Sequence, residues 1–124
     1  MKTKEEIQAN MAQAQASGTQ EYHKFSILFP RILLTDGVQQ LCEDAQCFWL
    51  MDIIGSHQPK IKNQPFQVWK LTVKDRSGKV SATDGNDKVI AKQNVPHTDF
   101  PLEELTLYVA DGGGRYQVIM LTSE

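Results

Sequence analysis

An α+β fold, with N-terminal helices packed on one face of a five-stranded, antiparallel, mostly meander sheet, follows from three observations on the sequence. Apolar residues recur at helical spacing up to about position 58, and at alternate positions between 66 and 122. Turn-forming clusters punctuate the second stretch at 76–79, 84–87 and 111–114. The 124 residues, 14.0 kDa in all, suit one domain with a helical part over 1–58 and a sheet part over 66–122.

Thr3 followed by Glu6 makes a capping box, which sets a helix start near Lys4. Ile7, Met11 and Ala14 form its apolar side, and Gly18 supplies a left-handed stop. So thin a stripe buries little, and the helix is expected to fray or to lean on a partner chain. Residues 19–34 crowd Tyr22, Phe25, Ile27, Leu28 and Phe29 around Pro30 and read as an irregular apolar connector. Asp36 and Gly37 then cap a second helix, whose Val38, Leu41, Cys42 and Ala45 fall at i, i+3, i+4 and i+7. Residues 47–54 (CFWLMDII) are apolar on nearly every side, as a core helix is, with Gly55 as the stop and Pro59 barring resumption.

After Pro65 the period changes to two. Over residues 66–74 (FQVWKLTVK), Trp69, Leu71 and Val73 share one face of a strand and Val68, Lys70 and Thr72 the other. Trp69 is expected to lie under the 47–54 helix, because only mutual packing removes both apolar surfaces from water. Further strands follow over 80–83, 89–95, 105–110 and 116–122, the last with Val118 and Met120 facing one way. Ahead of the fourth strand, Thr98 or Asp99 is expected to cap one helical turn begun by Pro101, with Glu103 and Glu104 near its positive end.

Thirteen Lys and Arg against fifteen Asp and Glu give a net charge of -2, spread evenly along the chain, so no general nucleic-acid footprint appears. Ordinary apolar and charged fractions, 40% and 23%, disfavour disorder, collagen and coiled coil. The N-terminus lacks the apolar core of a secretory signal, and the longest apolar run is far too short to span a bilayer. The expected location is cytoplasmic, away from membranes, with Cys42 and Cys47 as reduced thiols.

Five segments, GTQEY (18–22), LLTDGVQQL (33–41), FWLMDIIGSHQ (48–58), FQVWKL (66–71) and TDFPLEELTLY (98–108), carry a resemblance over nearly the whole chain. They resemble a family of small bacterial, phage and plasmid proteins, especially cyanobacterial ones, that carries a domain of unknown function. The resemblance implies a cytoplasmic, mobile-element-associated accessory protein and transfers no activity. It weighs against a metal role for Cys47, where relatives carry small residues.

Five residues have the chemistry of zinc ligands: His23, His57, His97, Cys42 and Cys47. Their spacing fits no familiar site, and five residues along one helix would turn the two thiols to different sides. No metal and no cofactor is therefore expected. His57 reads as a helix-end residue favoured by the dipole. Asp84, Asn86 and Asp87 lack the alternation and terminal Glu of a calcium loop and read as a hairpin turn. The glycines at 112–114 lack the Lys-Ser or Lys-Thr of a phosphate loop. His97 with Asp99, and His57 beside them, are the candidate catalytic residues, since a carboxylate orients an imidazole that titrates near neutrality. Lys70, Lys92 and Tyr108 are the candidate binding residues, on an outer sheet face that Tyr22, Phe66 and Trp69 would extend for stacking.

The sequence therefore favours a non-catalytic interaction or accessory protein, bound to a partner protein or to its own copy as a symmetric dimer, and modulating a host system in the mobile-element setting. The alternatives are a small hydrolase-like enzyme using His97 and Asp99, and a weak single-stranded nucleic-acid binder.

Overall fold

The structure, a computed structural model, describes residues 1–61, 63–113 and 115–124. The described residues form three helices and seven strands, in the order α1 (Lys4–Ser17), β1 (Tyr22–Lys24), β2 (Ile32–Thr35), α2 (Asp36–Ala45), α3 (Phe48–Ile61), β3 (Phe66–Lys74), β4 (Ser77–Thr83), β5 (Val89–Val95), β6 (Glu104–Asp111) and β7 (Gln117–Leu121). The class is α+β as expected, but the sheet has seven strands in the order β1-β2-β7-β6-β3-β4-β5 and is mixed, because β2 runs parallel to β7. Only β3-β4-β5 is a meander; β6 crosses to the other side of β3. The two added strands lie in the expected connector, where Leu33 and Leu34 find their partners in Val118 and Ile119 of β7.

The capping box forms as read: Thr3 Oγ1 accepts from the Glu6 N–H and Glu6 Oε1 accepts from the Thr3 N–H, both at 3.2 Å. α1 is also fastened within its own chain. Ile7 is fully buried, and polar clips fasten the helix to its own fold, with Asn10 Nδ2 donating to Asp44 Oδ2 at 2.8 Å and Gln15 Nε2 donating to the Thr122 carbonyl at 3.0 Å. Lys2 adds an ion pair to Asp44 at 3.5 Å. Burial pushes the Asp44 carboxyl up, but bonds from Asn10 and Gln40 and the Lys2 charge outweigh it and hold the group below its ordinary value.

The cap of α2 is Thr35, one residue earlier than expected, and its hydroxyl accepts from the Val38 N–H. Glu124 joins the cap, with Oε2 accepting from the Gly37 N–H at 2.8 Å and Oε1 from the Thr35 hydroxyl. A Cβ at Gly37 would come within 2.6 Å of that carboxylate and 2.7 Å of Leu121, so only glycine admits this approach.

α3 corrects the expected stop. It runs through Gly55 and Pro59 to Ile61. An interior proline costs a helix about 3 kcal/mol, and tertiary contacts on the last two turns offset it. Ile61 is buried, and Gln58 is tied to Gln67 of β3 by two reciprocal amide bonds of 2.9 Å and to Gln117 of β7 at 2.8 Å. Gly55 lets the Phe29 ring approach to 3.0 Å of where a Cβ would stand. Trp69 is 2% exposed on the helix-covered face, and its indole N–H donates to Gln67 Oε1 at 2.8 Å. One buried cluster joins the three helices to the sheet.

Candidate functional site

Strand register decides which candidate residues meet. His97 and Asp99 follow β5 in an irregular segment; the expected helical turn at Pro101 is absent. Instead Thr98 Oγ1 accepts from the Phe100 N–H at 3.1 Å, a side-chain turn that satisfies the backbone without helix. His97 Nε2 and Asp99 Oδ1 lie 3.8 Å apart with side chains 70% and 75% exposed, so the pair forms in open solvent. Asp99, without His97, lines a shallow depression with Arg76, Phe100 and Glu103. His57 is not at a helix end, because α3 continues past it. Its Nε2 bonds Gln93 Oε1 of β5 at 2.8 Å, and its ring packs 5.9 Å from that of Trp69. His57 therefore belongs to the seam between α3 and the sheet, with a partner other than His97 or Asp99.

Cys42 and Cys47 also depart from the expected geometry. α2 ends at Ala45, and Gln46 takes a left-handed conformation (φ 53°), so the chain doubles back and the Cys47 N–H donates to the Cys42 carbonyl at 3.1 Å. The thiols are neighbours, both buried. A hydrogen bond with the Cys47 thiol, and then burial, push the Cys42 thiol far above its ordinary range. Both behave as small apolar core residues.

A cluster the sequence reading passed over stands at the head of α2. Pairing of β1 with β2 sets His23 against Leu34, beside Asp36. His23 Nε2 and Asp36 Oδ1 lie 2.7 Å apart, Asp36 Oδ2 accepts from the Gln20 N–H at 2.9 Å, and the Gln20 bond followed by the His23 bond holds the Asp36 carboxyl below its ordinary value. Glu21, His23 and Asp36 bring their donor atoms within 4.8 Å of one another, a set able to hold a metal ion. Asp36 also borders a cleft of ≈ 360 Å³ between α1 and α2, beside Lys2, Asn10, Ser17 and Gln40. Asp36 lies 13 residues beyond His23, and only the pairing of β1 with β2 brings the acidic groups and the imidazole of the cluster together. The acidic 84–87 turn, by contrast, spends Asp84 Oδ1 on the N–H groups of Asn86 and Lys88. Gly114 of the expected glycine turn lies outside the described residues.

The binding candidates do share a face. Lys70 pairs with Ser81, which pairs with Lys92, and Val68 pairs with Tyr108, so Lys70, Lys92 and Tyr108 all project from the sheet face opposite the helices. Phe66 packs against Tyr108 at 5.0 Å on that face. Trp69 is on the other face, and Tyr22 stands at the far edge strand β1.

The most exposed apolar residues lie in the 25–31 loop between β1 and β2. Ile27 is 95% exposed and Leu28 78%. The loop beneath them is pinned: Phe25 stacks on Phe29 at 6.0 Å, the Leu28 N–H donates to Ser26 Oγ at 3.1 Å, and the Phe29 N–H donates to the Ser26 carbonyl at 3.2 Å. Lys24, Arg31 and Arg115 surround a depression beside the tip, with Tyr116.

Fold and surface together define a small α+β domain, three helices on a seven-stranded mixed sheet, with its candidate ionisable pairs set apart from one another. The chain belongs to the family of unknown function DUF6876, whose family model matches residues 5–124. No curated protein and no solved structure matches it. Among the described residues no helix is long and apolar enough to cross a membrane.

Proposed function

We propose that this protein is a non-catalytic interaction protein that docks a partner protein through the tip of the 25–31 loop, and that it modulates a host system in the mobile-element setting its segment resemblance implies. The observation that carries the reading is the adjacent pair Ile27 and Leu28, held in solvent by a loop whose own aromatic residues are packed. Burying two such side chains in a partner's pocket would contribute about 1.5–3 kcal/mol each. Charge selects the partner. Lys24, Arg31 and Arg115 flank the tip, and a twofold contact through this patch would set basic residues against their own copies. A partner with an apolar pocket rimmed by carboxylates fits better than a second copy.

The test is affinity capture from the native host with the wild-type chain and with an Ile27→Ser, Leu28→Ser variant, followed by binding measurements on the purified partner. The reading expects an acidic partner retained by the wild type and bound at least tenfold more weakly by the variant. Equal retention, or a dimer in light scattering that the variant dissolves, would overturn it.

A further inference from the structure

From the outer face of β3, β4, β5 and β6 we infer that this protein binds single-stranded nucleic acid, with lysines taking the phosphates and the Phe66–Tyr108 pair stacking on a base. The face is separate from the 25–31 tip. Its composition follows from register. Phe66, Val68, Lys70, Thr72 and Lys74 alternate out of β3; Lys79 projects from β4 opposite Thr72; Lys92 projects from β5 across Ser81 from Lys70. The charged residues on the outer face of these four strands are Lys70, Lys74, Lys79, Lys92 and one acid, Glu104, opposite Thr72 at the start of β6. The helix-covered positions of the same central strands are Gln67, Trp69 and Leu71, Gly78, Val80 and Ala82, with no charge at all.

Sheet geometry spaces the lysines for a strand of nucleotides. Lys70 and Lys92 stand two strands apart, about 10 Å, and Lys79 lies one step of about 7 Å along β4 from Ser81, between them. Phe66 to Lys74 covers about 27 Å of β3. The aromatic pair is at one end of this track and the lysines occupy the rest, the combination of a stacking platform and a positive groove that single strands require. Among the described residues none of the four lysines forms an ion pair. Their charge is thus available to phosphates, and the face that carries them is uncovered at Phe66, Lys70, Thr72 and Lys79. The acids that border the track are Glu104 on β6 and Glu103 just before it, Asp75 in the turn after β3, and Asp84 and Asp87 in the turn after β4; Glu103, Glu104 and Asp75 gather at the Lys74 end. Glu104 biases the backbone path toward β4 and β5, where Lys79 and Lys92 are. The net charge of -2 is a sum over the whole chain and does not show this local run of lysines on one sheet face. An even, closed duplex presents no bases to the aromatic pair, so single strands are the ligand.

The probes are fluorescein-labelled oligo(dT) and oligo(rU) of about 15 nucleotides, a length at the upper end of what one such face contacts. Anisotropy is followed in about 50 mM salt up to about 100 μM protein, the weak end of charge-driven binding. Binding of either oligonucleotide is expected to fall with salt at a slope of about -2 to -3, the value for three or four phosphates. Lys70→Glu with Lys92→Glu should weaken it at least tenfold, and Phe66→Ala with Tyr108→Ala several-fold. Circular dichroism should show both variants folded, and Ile27→Ser with Leu28→Ser should bind as the wild type does. No anisotropy change, preference for a duplex, or binding that the lysine reversals leave intact would each overturn the inference. Because the tip variant and the face variants are separate, this result stands or falls independently of partner docking.

Discussion

The two faces of β3 differ by one residue step and by nearly everything else. On the helix-covered face, Gln67, Trp69 and Leu71 are buried, and the Gln67 amide is bonded on both sides, to Gln58 and to the Trp69 indole. On the opposite face Phe66, Lys70 and Thr72 stand in solvent. The helix-covered face carries large apolar volume and a closed hydrogen-bond network, the features that determine stability. The open face carries charge and aromatic surface that the fold does not consume. A period of two lets one strand serve both purposes.

Truncation at the centre of the covered face should have the largest effect. Trp69→Ala removes a 2%-exposed indole and leaves Gln67 Oε1 short of a donor, and should cost about 3–5 kcal/mol in urea unfolding. A loss below about 1 kcal/mol would erase the distinction between the two faces.

A smaller effect is expected where α1 is clipped on. The Asp44 carboxyl is held below its ordinary value of 3.8 in the fold, so its contribution is complete above that value and is lost as pH falls through the folded one. The urea midpoint should therefore drop between pH 5 and pH 3, and Asp44→Asn should flatten that drop. Asp44→Ala at pH 7 should cost about 1–3 kcal/mol, because Asn10 and Gln40 lose their acceptor. An unchanged acid limb in the Asn variant would remove Asp44 from the clip.

The smallest effect belongs to the open face: Lys70→Gln and Lys92→Gln should each change stability by less than about 0.5 kcal/mol. A larger loss in thermal unfolding would mean that these lysines serve the fold.

Local signals were legible and distant ones were not. The Thr3/Glu6 box, the Val38-Leu41-Cys42-Ala45 stripe and the alternation of FQVWKLTVK each declare an element within a few residues, and each element formed. β2 is four residues long and depends on β7, more than eighty residues away, so its apolar run read as a connector. Pro59 argued against a helix that Gln67 and Gln117 hold together from other strands. The same limit applied to sites. Lys70 and Lys92 were recognisable as outward residues, but their nearness to Lys79 is a property of the ladder, and the Glu21, His23 and Asp36 cluster exists only because β1 pairs with β2. His97 and Asp99, separated in sequence only by Thr98, stood out for that closeness, and they meet in solvent.

The proposed docking role rests on Ile27 and Leu28 being surface that folding does not use. Urea unfolding of the Ile27→Ser, Leu28→Ser variant, followed by tryptophan fluorescence, tests it most directly. The exposed tip predicts a midpoint equal to or above that of the wild type, within about 0.5 kcal/mol. A loss of more than about 2 kcal/mol, the scale of a buried aliphatic pair, would place both residues in the core and contradict the account.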